Sequence, residues 1–210
     1  MNVNERFKQK VFVIGLPKTA TSSLAVALET LGYDLFGHFA VENDNIGTEV
    51  HELVLEKLPQ YEAFVDVPWC VLYKELDEWC PGSKFILTLR DEEDWLSSVV
   101  RHFGYRETPM REWIYGAGDP VGNEDKYIGK YRAHVRQVRS YFSHRPSDLL
   151  ELKITEGEGW DKLCSFLGHP TIDTSFPKVN TVRERETLKF KLGRLKRMMM
   201  KNISGLFEQA

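Results

Sequence analysis

Long apolar runs are what this chain most plainly lacks. Nowhere in its 210 residues do apolar side chains continue for the roughly 20 positions of a membrane-spanning helix. The segment Met1 to Lys10 is polar and holds no apolar stretch of signal-peptide type, so a cytoplasmic protein is expected. Cysteine is scarce. Cys70, Cys80 and Cys164 are odd in number and stand at no metal-type spacing, and they read as free, mostly buried thiols in a reducing compartment. Six histidines are scattered without a ligand pattern, and no metal site is expected. Repeats and low-complexity segments are also missing, which excludes solenoid and largely disordered architectures.

What is present is an ordinary globular composition, 42% hydrophobic and 28% charged, in a length that suits one α/β domain with a substantial core. The net charge of −3 is spread unevenly. Arg183 to Lys201 holds eight Lys/Arg against two Glu, a local +6, which leaves −9 for the rest. Leu188, Leu192, Leu195, Met199 and Ile203 recur there at helical spacing among the basic residues. The expectation is a domain over residues 1–182 and a basic amphipathic helix over 183–210 packed on it. Contact of that helix with an anionic membrane is the lesser alternative. No nucleic-acid partner is expected, and the sequence does not fix the oligomeric state.

Short continuous apolar runs predict strands at Lys10–Ile14, Tyr33–Phe36, Ala63–Val65, Lys84–Leu89 and Leu149–Leu152. Helical periodicity fills the gaps at Thr21–Leu31, Thr48–Leu58, Val71–Trp79, Glu92–His102, Glu124–His144 and Gly157–Leu167. Alternation of the two implies a doubly wound α/β fold with a parallel sheet covered on both faces. Gly32 and Gly168 sit where helix C-caps belong. Gly104 to Asn123, rich in Gly, Pro, Trp and charge, reads as an insertion over the active site. Trp160, Leu163, Cys164 and Leu167 form one apolar face and are assigned to the core.

The chemistry concentrates after the first strand, in Gly15-Leu-Pro17-Lys18-Thr19-Ala20-Thr21-Ser22-Ser23. Strand, small-residue loop and helix together present backbone N–H groups and a helix N-terminus to a phosphate. A Walker A loop counted from Gly15 needs glycine at 20, lysine at 21 and a hydroxyl at 22. The chain has Ala20, Thr21 and Ser22, with its lysine moved upstream to Lys18. The loop is therefore built for a phosphate ligand, but not for ATP–Mg²⁺ in the usual way. Two further features share the expected ligand-binding edge of the sheet. Arg90 follows the strand ending at Leu89, with Ser98 eight residues on, and Asp66 ends Phe64-Val65-Asp66-Val67-Pro68.

Pro17-Lys18-Thr19-Ala20-Thr21-Ser22 resembles the phosphosulfate loop of the P-loop sulfotransferases in five of six positions, alanine replacing the usual glycine. Arg90 with Ser98, and Trp95 within Arg-Asp-x-x-x-Trp, resemble that family's 3′-phosphate motif. Gly157-x-x-Trp160-x-x-Leu163-x-x-Phe166-Leu167-Gly168 is similar to the late helix of one subfamily. The resemblance implies a P-loop NTPase-like three-layer α/β/α fold with a mostly parallel central sheet. It also implies 3′-phosphoadenosine 5′-phosphosulfate as sulfuryl donor, adenosine 3′,5′-bisphosphate as product, and a small-molecule acceptor. By the same resemblance Pro17 to Ser23 hold the 5′-phosphosulfate, Lys18 neutralises the leaving group, and Arg90, Ser98 and Arg183 or Arg185 grip the 3′-phosphate. Asp66 stands where cytosolic members carry their general base, and His38 is a rival for that role. The aromatic that stacks on adenine in cytosolic members is replaced by Ser23.

Two other readings compete. Phe64-Val65-Asp66 also fits a Walker B strand of a small-molecule kinase using ATP–Mg²⁺, against which the missing lysine at position 21 argues. A non-catalytic nucleotide-binding or membrane-associated protein would use the basic tail as its working surface. Trp69, Tyr105, Trp113 and Tyr115 are candidates for an apolar acceptor pocket, though core or lid aromatics give the same pattern.

Overall fold

The computed structural model describes residues 9–179. The helix expected over 183–210, and Arg183 with it, lie outside the described residues.

Among the described residues there are five strands and seven helices. They are β1 (Val11–Val13), α1 (Thr21–Thr30), β2 (Leu35–Phe36), α2 (Ile46–Lys57), β3 (Ala63–Val65), α3 (Tyr73–Trp79), β4 (Lys84–Thr88), α4 (Glu92–Phe103), α5 (Pro109–Tyr115), α6 (Glu124–Phe142), β5 (Leu149–Leu152) and α7 (Trp160–Leu167). The strands form one parallel sheet in the order β2-β3-β1-β4-β5. Every strand and helix expected within residues 9–179 is present. The ends differ by up to three residues, where caps and single 3₁₀ turns take over from the periodic pattern. α5 is additional and falls inside the expected insertion. Thr108 caps it by accepting from the Arg111 amide at 3.2 Å, and Pro109 begins it.

The apolar strands alternate between two cores, which is why they read as continuous hydrophobic runs. Phe12, Ile14, Phe64, Phe85 and Leu87 face α2 to α6. Val11, Val13, Val65, Ile86 and Leu152 face α1 and α7, where Trp160, Leu163 and Cys164 are buried as the apolar face required. Phe12 stacks between Phe64 and Phe85 with centroids 5.4 Å from each, so the three central strands carry an aromatic rung. All three cysteines are free and buried. Gly168 caps α7 at φ 71°, its amide bonded to Cys164 O.

This strand order positions the site. From β1 the chain crosses to β2 and returns to β3, while from β4 it moves the opposite way to β5. Neighbouring strands whose connections diverge create a crevice at their C-terminal ends, here between β1 and β4. The register sets Val13 level with Val65 and Ile86. The residues that follow these strands therefore emerge along one edge.

Candidate active site

Close packing fixes the start of the loop after β1. A Cβ on Gly15 would stand 1.9 Å from Thr88 Oγ1 and 2.6 Å from Thr88 O, so β4 leaves room for glycine alone. The Thr88 hydroxyl pairs at 2.5 Å with Thr19 Oγ1, which donates to Leu16 O at 2.7 Å. The Thr19 side chain is thus an internal brace of the loop.

Lys18 and Ala20 adopt left-handed backbone conformations, φ 74° and 68°. Ala20 therefore occupies the conformation for which glycine is normally used, at a cost of about 1–2 kcal/mol for a residue with a Cβ. Left-handed residues at alternate positions are the signature of a nest, in which successive N–H groups converge on an anion. The Lys18 to Ser22 amides have no protein acceptor among the described residues. The Ser23 amide has turned into the helix and donates to Ala20 O at 3.1 Å, while its hydroxyl accepts from Val179 N. Ser23 thus uses its polar groups within the fold, and the open cradle ends at Ser22.

Arg90 is held against the same loop. Tyr131 clamps its backbone: the hydroxyl accepts from Arg90 N at 3.0 Å and donates to Arg90 O at 2.7 Å. Tyr131 stacks on Trp95, centroids 4.5 Å apart, and Trp95 Nε1 donates to Pro17 O at 2.9 Å. The Arg90 guanidinium reaches Lys18 O at a long 3.5 Å, and its buried Nε has no partner among the described residues. Asp91 caps α4 by accepting from the amides of Glu93 and Asp94. That cap sets the helix so that Trp95 and Ser98 share a face, and Ser98 is buried there. Beyond Arg90, Leu89, Tyr131, Arg132, Arg136 and Lys153 line a cavity of about 470 Å³.

Asp66 also has positive φ, 76°, and its Oδ1 accepts from the Val67 amide at 3.0 Å. Its charge acts on Lys18. Burial pulls the lysine below its ordinary pKa; Asp66 opposes this, and Arg90 and Arg101 add to the lowering. Asp66 and Arg90 thus both stand near enough to Lys18 for their charges to act on it. His38 is exposed in the loop after β2, beside Phe39, whose amide bonds to Val67 O.

The four aromatics proposed for an acceptor pocket separate. Trp69 is wholly buried, with its indole bonded to Gly37 O. Tyr115 is buried and stacked on Tyr127 at 4.1 Å. Trp113 packs beside Gly47 on α2, and Tyr105 is 81% exposed. Trp69 is therefore a core residue, because its ring fills the space between Phe39 and Phe64.

Sequence reasoning passed over Thr88, Tyr131 and Arg101, and over two histidines. His134 is buried on α6 with Nε2 2.7 Å from Ile14 O, so that nitrogen carries the proton and ties α6 to the end of β1. Burial pushes its pKa down to about 4, partly offset by that bond. His102 stands one turn beyond Ser98 on α4. The helical stripe 95, 98, 102 was the one available signal for it.

The sulfotransferase domain family matches this chain over residues 10–121 and 108–185. The chain is also similar to the "Ava biosynthesis cluster protein M" of Aspergillus versicolor. The two are 26% identical over 215 aligned positions, which cover 82% of this chain and 81% of that protein.

Proposed function

The chain belongs to the sulfotransferase domain family, and we propose that it moves a sulfuryl group from 3′-phosphoadenosine 5′-phosphosulfate to a hydroxyl or amine of a small-molecule acceptor. One observation carries the reading: the amides from Lys18 to Ser22, which have no acceptor among the described residues, lie beside a buried arginine nitrogen that those residues also leave without a partner. A buried donor without a partner is costly, and an anion across the β1–β4 crevice satisfies the arginine nitrogen together with the amides. The donor offers an anionic group for each.

On this reading the amides and the α1 N-terminus hold the 5′-phosphosulfate, with hydroxyls from Thr21 and Ser22. Lys18 neutralises charge on the bridging oxygen as the S–O bond breaks, a contribution of about 10²–10³ in rate for a preorganised donor of this kind. Arg90 and Ser98 recognise the 3′-phosphate, and the cavity beyond Arg90 offers room for the nucleoside. Arg183 lies four residues past Val179, which is tethered to Ser23, and a chain of that length reaches at most about 14 Å. On this reading Arg183 supplies a further cation to the 3′-phosphate. Asp66 serves the deprotonation of the acceptor. The biosynthesis cluster in the relative's name supports a small-molecule acceptor.

A thermal shift with adenosine 3′,5′-bisphosphate against ATP–Mg²⁺ tests the donor. At a hundredfold excess over Kd a ligand adds about 2.7 kcal/mol, which in a chain of this length raises Tm by about 5–10 °C. A shift with the bisphosphate and none with ATP–Mg²⁺ is expected. The reverse result identifies a kinase and overturns the proposal.

A further inference from the structure

α6 lays a stripe of arginines along the cavity beyond Arg90. Arg132, Arg136 and Arg139 follow at intervals of four and three residues, which puts them on one face of the helix, and all three line the cavity. That face is fixed in place. The Tyr131 hydroxyl bonds to both the amide and the carbonyl of Arg90, and Arg132 bonds to Glu92 at 2.7 Å, so α6 is tied to the start of α4. Arg136 stands one turn further on, about 6 Å along the helix axis from Arg132.

The cations around this cavity differ in what neutralises them. Arg132 is paired with Glu92, Arg139 grips Glu151 through two bonds of 2.7 Å, and Lys153 is paired with Glu156 at 3.0 Å. Asp91, the remaining acid of the lining, is taken up by its cap on α4. Arg136 has neither a carboxylate nor a hydrogen-bond partner among the described residues, and it opens onto the same cavity as Arg90. The buried Nε of Arg90 is also without a partner among those residues, and its guanidinium makes the long contact with Lys18 O. Two guanidinium groups that no described carboxylate neutralises therefore line one cavity, one from the end of β4 and one from α6. The Arg–Glu pairs to either side of Arg136 leave it as the open position of the stripe.

Two fixed positive charges match a doubly charged anion, and a planar guanidinium binds phosphate oxygens in pairs. The 3′-phosphate of the sulfuryl donor is a monoester with a charge of about −1.5 to −2 at pH 7, whereas its 5′-phosphate, joined to sulfate, has lost the second ionisation. We infer that Arg136 is a second guanidinium for the 3′-phosphate, and that with Arg90 it selects nucleotides carrying a phosphate monoester at that position. The inference rests on the sulfuryl-transfer reading above.

The test is calorimetry on the full chain with adenosine 3′,5′-bisphosphate and with adenosine 5′-monophosphate, which differ in the 3′-phosphate alone. The parent protein is expected to bind the bisphosphate more tightly. Arg136→Gln is expected to lose roughly 10- to 100-fold in affinity for the bisphosphate, the range for a hydrogen bond to a charged group, and to keep its affinity for the monophosphate within about threefold. Arg136→Lys, which retains the charge but not the fork, should recover part of that loss. An Arg136→Gln protein that binds the bisphosphate as the parent does overturns the inference. So does an equal loss for both nucleotides, which assigns Arg136 to the base or to the fold. A parent protein that binds the two nucleotides alike, or binds neither, overturns the donor assignment, and this inference with it.

Discussion

Trp95 Nε1 donates to the carbonyl oxygen of Pro17 across 2.9 Å of buried space, joining α4 to the phosphate loop. One helix thereby positions Ser98 relative to Lys18, and its cap at Asp91 sets where it begins.

Trp95→Phe keeps most of the ring and strands the Pro17 carbonyl. Leaving a buried acceptor unsatisfied costs about 1–3 kcal/mol. Urea unfolding should show that loss, and affinity for adenosine 3′,5′-bisphosphate should fall with it. Unchanged stability and affinity would show that the bond does not support the loop.

Ala20→Gly should stabilise the protein. A Cβ at φ 68° costs about 1–2 kcal/mol, and glycine's extra chain entropy returns about 0.5–1 kcal/mol of that. A net gain near 0.5 kcal/mol is expected in chemical denaturation, with bisphosphate binding preserved. Ala20→Val should move stability the opposite way.

Gly15→Ala should be among the most damaging single-methyl changes in the chain. The added Cβ falls on Thr88 Oγ1 and on the β4 backbone, so it breaks the Thr19–Thr88 pair or displaces the strand. A loss at the upper end of about 1–3 kcal/mol is expected in unfolding experiments. Bisphosphate binding should weaken as well.

Lys18→Ala should separate binding from chemistry. Donor turnover should drop by about 10²–10³, while bisphosphate affinity falls less than tenfold, because the amides and Arg90 remain. Equal losses in both would assign Lys18 to binding alone.

His134 makes stability depend on pH with a definite sign. Its pKa is about 4 in the folded protein and about 6.5 in the unfolded chain. Between these values the unfolded chain takes up the proton and the folded protein does not. Stability therefore falls as pH drops from about 6.5 towards 4, by about 3 kcal/mol in total. His134→Gln should lose correspondingly less stability between pH 7.5 and pH 4.5 than the parent, measured by urea unfolding at both.

The fold was legible because its signals are local. Parallel strands buried on two faces must be apolar throughout, so β1, β3, β4 and β5 stood out as short runs between amphipathic helices. The loop was legible as strand, small residues and helix, and Arg90 with Ser98 by their spacing. α5 escaped because its seven residues lie in a stretch dense with glycine, tryptophan and charge. Trp69 could not be distinguished from a pocket residue, since an indole in a core and one in a cleft are the same letter.

The sequence by itself determined an α/β sheet with a phosphate loop whose lysine lies three residues upstream of its Walker A place, and with Asp66 and Arg90 on strand ends. Those properties follow from period, composition and spacing along the chain. Tertiary structure alone decided that β3 and β4 flank β1, which brings the three charges together. It also placed Ala20 in the left-handed region and left the amides of Lys18 to Ser22 without an acceptor among the described residues, while the Ser23 amide turned into α1. Such relations depend on distances between residues far apart in sequence, and those are fixed only when the sheet orders its strands and α4 docks on Pro17.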